Sequence, residues 1–178
     1  MASNHASHAD TAVIFTAIPK KVRKHMVTGA AQDYFFDDGF RESISRVLFN
    51  IIPISREGGR GGPDPLRHVS RALREGYGVL LFPEGTRSRD GRIGTFRSGI
   101  GRVIADFPGL PIIPTRIEGT SRVLPKGRTM PRPFSVRIFF GEPMVLHAHP
   151  KYRATWQQAA NEVRDAVLQL GAGGDDNT

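Results

Sequence analysis

Cysteine is absent from this sequence of 178 residues, which excludes disulfide bonds, thiolate metal ligands and a cysteine nucleophile. Long hydrophobic runs are absent as well. The longest apolar stretches, such as 11–18 and 47–54, are far shorter than the ~20 residues that a membrane-spanning helix needs. Polar and charged residues begin at once, so we expect no signal peptide. These absences are compatible with a reducing compartment, and we expect a cytoplasmic location.

Acidic residues are the minority among the charged ones. The chain has 17 aspartates and glutamates against 25 lysines and arginines, which gives a net charge of +8. Such an excess of positive charge attracts polyanions, namely nucleic acid, an anionic membrane or a phosphorylated substrate. Basic residues scattered for solubility would give the same total, so charge alone leaves these interpretations open.

The length suits one domain with a sizeable core, which we expect at 1–170, followed by a disordered tail at 171–178. Hydrophobic periodicity predicts that short apolar strands alternate with helices. The predicted strands are 24–29, 51–55, 79–82, 111–117 and 135–140, and the predicted helices are 10–18, 39–50, 66–75, 96–107 and a last one carrying 156–170. This alternation predicts an α/β fold with a mostly parallel central β-sheet flanked by helices.

Two of the predicted strands lead directly into an arginine-containing segment. The strand at 79–82 continues into P-E-G-T-R-S, where Gly85 allows a ligand to approach the backbone closely and Arg87 offers a forked donor for phosphate or carboxylate. The strand at 51–55 delivers Arg56 in the same way. Because ligands gather at the carboxyl ends of parallel strands, the two arginines suggest one shared anion.

The segment SNHASHAD at 3–10 contains two histidines and an aspartate. Its H-x-x-H-x-D pattern differs from the H-x-H-x-D-H of zinc hydrolases, and no later cluster completes a metal shell, so we predict no metal site. Ser7 and Asp10 fit the S-x-x-D pattern of a helix cap. His5 and Asp10 also fit a general base held by a carboxylate, provided that His5 lies in the loop before the helix. Both interpretations of Asp10 remain open at this point.

Four short motifs, in this order, resemble those of the glycerolipid acyltransferases, whose best-known members are the 1-acylglycerol-3-phosphate acyltransferases. The motifs are N-H-x-S-x-x-D at 4–10, P-I-S-R at 53–56, F-P-E-G-T-R-S at 82–88 and P-I-I-P at 111–114. The resemblance covers roughly 3–146 and implies a glycerol-3-phosphate acyltransferase-like domain. Members of the family usually carry an upstream segment with a core strand that runs into the Asn-His pair, so the resemblance also implies that an N-terminal part is missing here.

The resemblance implies an O-acyltransferase of phospholipid biosynthesis. In this family a fatty acyl group moves from the co-substrate, acyl-CoA or acyl carrier protein, to a hydroxyl of a (lyso)glycerophospholipid such as 1-acylglycerol-3-phosphate. His5 would be the general base that deprotonates this hydroxyl, and Asp10 would orient His5. His8 falls on a variable position of the motif and would have no catalytic part. The reaction needs neither a covalent acyl-enzyme nor a cofactor.

The resemblance also implies a set of substrate-binding residues. The two arginines at the strand ends would hold the acceptor's phosphate, and the three residues before the second arginine would shape the pocket around its glycerol. The last proline of the fourth motif would lie near the acyl-binding wall. The expected substrate-binding residues are Arg56, Glu84, Gly85, Thr86, Arg87 and Pro114.

Basic clusters without a membrane span predict how the protein meets a membrane. We expect a peripheral protein on the inner face of the membrane, bound to an anionic lipid surface. The stretches 30–40 and 124–143 are similar to acyltransferase domains built into longer lipid-metabolic proteins, so the chain is interpreted either as part of a larger multidomain protein or as a naturally shortened form. Two alternatives from other classes are a non-catalytic basic membrane-surface module and a nucleic-acid-binding module. We expect no nucleic-acid partner, because no RNA-binding strand or recognition-helix motif accompanies the charge.

Overall fold

The structure is a computed structural model that describes residues 1–7, 9–31, 51–54, 64–88, 91–123 and 132–171. The chain divides into two compact units. The first unit combines Met1–Ala17 with Phe82–Thr178, and the second unit is Ile18–Leu81. The second unit is therefore an insertion in the sequence of the first.

The described elements alternate along the chain between short strands and helices. They are β1 (Ala2–Ser3), α1 (Asp10–Ala17), α2 (Lys20–Arg23), β2 (Met26–Ala31), β3 (Ile51–Ile54), α3 (Arg67–Arg74), β4 (Gly78–Leu80), α4 (Gly99–Asp106), β5 (Pro111–Ile112), β6 (Pro114–Glu118), α5 (Thr120–Val123), β7 (Arg137–Phe140), β8 (Met144–Val145) and α6 (Arg153–Gln169). No helix among these is both long enough and apolar enough to cross a membrane.

The first unit contains a sheet in the order β1-β6-β7 and a separate β5-β8 pair. β1 is parallel to β6, with Ala2 opposite Pro114, whereas β7 is antiparallel to β6. β5 and β8 are also antiparallel. Helices α4 and α6 pack against each other around the core of this unit. The buried core residues are Ala2, Phe96, Ile100, Ile104, Ile112, Ala159, Ala160, Val163 and Val167.

The second unit contains a sheet in the order β3-β2-β4, and both of its pairings are parallel. β3 and β4 lie on opposite sides of β2, and α3 lies in the parallel connection between them. The buried residues of α3 are Val69, Ser70 and Ala72. With three parallel and two antiparallel pairings among the described strands, the fold is mixed α/β, as the sequence predicted at the level of fold class.

Several predicted elements are present with bounds shifted by one to three residues, and one predicted strand is divided in two. The strand predicted at 111–117 is two strands, because Pro111 and Pro114 lack the N–H that a continuous ladder needs and β5 and β6 take different partners. β1 was not predicted, since two residues carry no periodicity. The helix predicted at 39–50 lies outside the described residues, as does the predicted tail apart from Gly171.

Candidate active site

Asn4 ends β1 and turns the chain away from the sheet. Its side-chain Oδ1 accepts the N–H of Ile117 at 2.8 Å, and its Nδ2 donates to the carbonyl of the same residue at 2.9 Å. The amide of Asn4, only 4% exposed, thus occupies the place that backbone would take if β1 continued along β6. His5 follows as the first residue of the loop before α1.

The backbone of His5 is held on both sides by the segment Phe82–Ser88. Its N–H donates to Oε1 of Glu84 at 2.8 Å, and its carbonyl accepts the N–H of Ser88 at 2.8 Å. The imidazole stacks on the ring of Phe82, with ring centroids 4.2 Å apart and planes inclined by 24°. The first and third motifs of the sequence are therefore bound directly to each other.

His5 and Asp10 form a hydrogen-bonded pair. His5 Nδ1 lies 2.8 Å from Oδ2 of Asp10, whose side chain is fully buried, while the imidazole is 22% exposed. Because a carboxylate accepts hydrogen bonds, this contact assigns the imidazole proton to Nδ1 and leaves a lone pair on Nε2. Nε2 has no hydrogen-bond partner within the described part of the chain. An imidazole in this state can take a proton from a substrate hydroxyl.

The carboxylate of Asp10 also holds the backbone that leads into α1, as the aspartate of an S-x-x-D capping pattern does. Oδ2 accepts the backbone N–H of Ala6 at 2.7 Å and that of Ser7 at 2.9 Å, in addition to the contact with His5. Ser7 Oγ in turn accepts the N–H of Ala9 at 3.3 Å. The capping and acid–base interpretations are thus compatible, since one oxygen atom makes both sets of contacts. As the spacing requires, His5 lies in the loop and Asp10 in the first turn of α1.

Glu84 joins three separate segments. Besides the bond of Oε1 to His5, its Oε2 accepts the N–H of Gly94 at 3.0 Å. The carbonyl of Gly94 is held by Nε of Arg164, on α6, at 2.8 Å. Burial raises the pKa of the Glu84 carboxyl, and the two backbone N–H donors act against that rise. Both oxygens of this carboxylate are therefore engaged in holding backbone around His5.

Gly85 and Arg97 fit together at the turn that follows Glu84. The φ angle of Gly85 is +69°, and a Cβ atom there would lie 2.9 Å from Nε of Arg97. Arg97 Nε donates to the carbonyl of Glu84 at 3.1 Å, and its backbone N–H donates to the carbonyl of Pro83 at 2.9 Å. Glycine is required at position 85 both for its backbone conformation and for the space that this guanidinium occupies.

The other predicted site residues have different surroundings. Thr86 is exposed, and Arg87 is half-buried with no hydrogen bond or ion pair to any residue that the structure describes. Pro114 is buried in β6, opposite Ala2, and its carbonyl accepts the N–H of Gly141 at 2.9 Å. Arg56 and His8 lie outside the described residues.

Sequence reasoning gave no role to Asn4, Ser88, Gly94 or Arg97. Asn4 directly precedes His5 and bonds Ile117, and the other three contact His5 or Glu84. Asn4 and Ser88 stand inside the quoted motifs, so their positions beside His5 and Arg87 were an available signal. Nothing local distinguishes Gly94 or Arg97. Within the described ranges, no group of three or more histidine, aspartate and glutamate side chains could hold a metal ion.

Comparison with known proteins identifies relatives of one kind. A family model described as Acyltransferase matches residues 1–118. The 1-acyl-sn-glycerol-3-phosphate acyltransferase of Cocos nucifera is 33% identical over 139 residues, which are 76% of this chain and 43% of the relative. That of Pseudomonas aeruginosa is 35% identical over 150 residues, which are 71% of this chain and 56% of the relative. The chloroplastic relative from Brassica napus is 36% identical over 80 residues, which are 45% of this chain and 23% of its own length.

A solved structure extends this similarity to the fold. The 1-acyl-sn-glycerophosphate (LPA) acyltransferase PlsC from Thermotoga maritima matches with a TM-score of 0.66 and 26% identity, covering 94% of this chain and 64% of that chain. Our chain thus spans between 23% and 56% of the length of the three sequence relatives above. The family model covers more than half of the chain and includes His5, Asp10 and the 82–88 motif. The chain belongs to the acyltransferase family.

Proposed function

We propose that this protein transfers a fatty acyl group from acyl-CoA or acyl carrier protein to a hydroxyl of a (lyso)glycerophospholipid such as 1-acylglycerol-3-phosphate. The single observation that carries the proposal is the His5–Asp10 pair, anchored through Glu84 and Ser88 to the 82–88 motif. Relatives named as 1-acyl-sn-glycerol-3-phosphate acyltransferases support the choice of acceptor. The decisive assay is thiol release from acyl-CoA across a panel of phosphorylated and unphosphorylated acceptors.

The proposed reaction is a direct transfer with His5 as general base. Nε2 takes the proton of the acceptor hydroxyl while its oxygen attacks the thioester carbonyl carbon. The C–S bond then breaks, and the imidazolium returns the proton to the thiolate that leaves. Asp10 fixes the tautomer and stabilises the imidazolium through the 2.8 Å contact to Nδ1. No step requires a cofactor, a metal ion or a cysteine.

We assign recognition of the acceptor to the turn that follows Glu84. Arg87 and Arg56 would hold the acceptor's phosphate, with Gly85 and Thr86 beside its glycerol. Support for Arg87 comes from its half-buried position and from its lack of an ion pair within the described ranges. The assignment of Pro114 to the acyl-binding wall remains a prediction.

Phosphate recognition by Arg87 predicts a loss specific to the acceptor. Arg87→Ala should lower kcat/KM for a phosphorylated acceptor by about tenfold to hundredfold, because charge-assisted hydrogen bonds are worth ~1.5–3 kcal/mol. Arg87→Lys keeps the charge but loses the forked geometry and should be impaired less severely. Arg56→Ala should behave like Arg87→Ala. The measurement is kcat/KM for acceptor and donor separately.

The matched control for this series is Arg153→Ala, which removes the same charge from an exposed position on α6. Its kcat/KM values should remain close to those of the unmodified protein. Equal losses in all four variants, or a loss confined to the donor, would contradict the assignment of these arginines to the acceptor's phosphate.

The excess of positive charge predicts peripheral binding to anionic membranes. The protein should sediment with vesicles that contain anionic lipid and be released by added salt, since each basic contact near the surface is worth ~1 kcal/mol. Neutral vesicles provide the control. Binding that persists at high salt would mean that apolar insertion holds the protein.

The same assay tests the alternative of a non-catalytic membrane-surface module. That alternative would be favoured if vesicle binding survives His5→Ala and the unmodified protein transfers no acyl group to any acceptor.

A further inference from the structure

Arg97 is held rigidly against the turn that carries Arg87. Its backbone N–H bonds the carbonyl of Pro83, its Nε bonds the carbonyl of Glu84, and its guanidinium fills the space beside the α-carbon of Gly85. Exposed arginines ordinarily lose much side-chain freedom when they bind a ligand. At Arg97 part of that freedom is already lost, because Nε is fixed and only the two terminal nitrogens remain available.

Among the described residues, the terminal nitrogens of Arg97 have no acidic partner. The carboxylate of Glu84, whose backbone carbonyl Arg97 bonds, has both oxygens engaged by the N–H groups of His5 and Gly94. Other arginines do pair with acids across the described ranges. Such arginines are Arg71, Arg102, Arg116, Arg137 and Arg164. Arg87 and Arg97 make no such pair with any acid that the structure describes, although both lie at the same turn.

We propose that Arg97 is a further cation of the acceptor site, which binds the phosphate monoester of the acceptor together with Arg87. This inference rests on the proposed function and adds a residue to it. Four N–H donors on the terminal nitrogens match the oxygens of a phosphate, and the bond from Nε to Glu84 orients them in advance. Because Glu84 also holds the backbone of His5, a phosphate on Arg97 would lie at a fixed distance from the base.

The first experiment measures binding without turnover. Titration calorimetry with sn-glycerol 3-phosphate should give a dissociation constant that rises about tenfold to hundredfold in Arg97→Ala. Arg97→Lys should recover only part of this loss, since a lysine retains the charge without the bond to Glu84. Arg122→Ala is the control, because Arg122 is an exposed arginine of the same unit that makes no ion pair within the described ranges. Equal affinities in the unmodified protein and Arg97→Ala would overturn the proposal.

The second experiment distinguishes the two phosphates that the reaction could present, that of the acceptor and those of coenzyme A. Steady-state assays should show a raised KM for a phosphorylated acceptor in Arg97→Ala and an unchanged KM for acyl-CoA. A raised donor KM would overturn the assignment to the acceptor. A fall in kcat alone, of equal size for phosphorylated and unphosphorylated acceptors, would mean that Arg97 only supports the turn. That result would also overturn the proposal.

These outcomes also separate this inference from the proposed function. If no acceptor is acylated by the unmodified protein, the proposed function fails, whereas binding of sn-glycerol 3-phosphate that depends on Arg97 would still support the anion site. If transfer proceeds and both binding and KM are indifferent to Arg97, the inference fails and the proposed function stands. Thermal melting of each variant verifies that it is folded at the assay temperature.

Discussion

Replacing His5 by alanine is expected to reduce acyl transfer by about 10²–10⁴-fold, the usual contribution of a general base. The backbone contacts of His5 to Glu84 and Ser88 do not involve the imidazole, so the variant should keep the local structure. What it loses is the lone pair of Nε2, without which the acceptor hydroxyl is a poor nucleophile. The measurement is kcat with saturating acyl-CoA and acceptor, alongside a melting curve.

Two variants at Asp10 show whether the pair acts as a unit. Asp10→Asn keeps an oxygen for the N–H groups of Ala6 and Ser7, so it should remain folded but lose much of the rate, because a neutral amide stabilises the imidazolium poorly. Asp10→Ala should lose stability as well, since it leaves those donors unsatisfied in a buried position.

His8→Ala is the control for the histidine that we exclude from catalysis, and it should keep most of the activity. A loss as large as that of His5→Ala would contradict the assignment and indicate a shared metal ion or proton relay. Full activity in His5→Ala would contradict the general-base mechanism itself.

Replacing Gly101 by alanine is expected to destabilise the protein by on the order of 3 kcal/mol. Gly101 lies in α4 where this helix meets α6, and a Cβ atom there would overlap the backbone of Trp156, coming within 2.6 Å of its Cα and closer still to its carbonyl. Backbone cannot move aside as the end of a flexible side chain can, so the two helices would have to separate. Chemical denaturation measures the free energy of unfolding.

Gly109→Ala provides the matched control. The added Cβ would meet nothing within 4 Å, so the only cost is the left-handed backbone conformation at φ +82°, about 1–2 kcal/mol. Equal losses of unfolding free energy in the two variants would mean that α4 and α6 can move apart at little cost. Glycine would then not be needed for their close approach.

The sequence predicted those parts of the fold that depend on local patterns. The last helix carries its apolar residues on one stripe, and Ala160, Val163 and Val167 are buried as that stripe requires. The start of α1 was also predicted, because its cap residues Ser7 and Asp10 are close in sequence. In both cases the determining interactions lie within a few residues of one another.

The supports of the active site could not be predicted in the same way. Asn4 bonds a residue 113 positions away, and Glu84 bonds the backbone of His5 across 79 positions. A backbone N–H donor is the same whatever the side chain, so the residue type of the donor gives no sign of its acceptor. Neither Gly94 nor His5 therefore indicates in the sequence that its N–H bonds Glu84. The motif resemblance marked Glu84 as a site residue, whereas only the folded arrangement indicates that it holds backbone.

The discontinuous character of the first unit has a consequence for the order of folding. His5 and Asp10 are synthesised early, yet β1 cannot pair, and Asn4 cannot bond Ile117, until nearly two thirds of the chain has been made. The insertion at 18–81 acts as a long loop, whose two ends must come together before these contacts can form. Contacts between residues so far apart in the sequence slow folding. The hydrogen bonds that hold the backbone of His5 likewise require Glu84 and Ser88, which lie beyond the insertion in the sequence. Because closure entropy grows slowly, with each doubling of the loop costing only about 0.6 kcal/mol, the insertion can vary in length between relatives at little cost to the stability of the site.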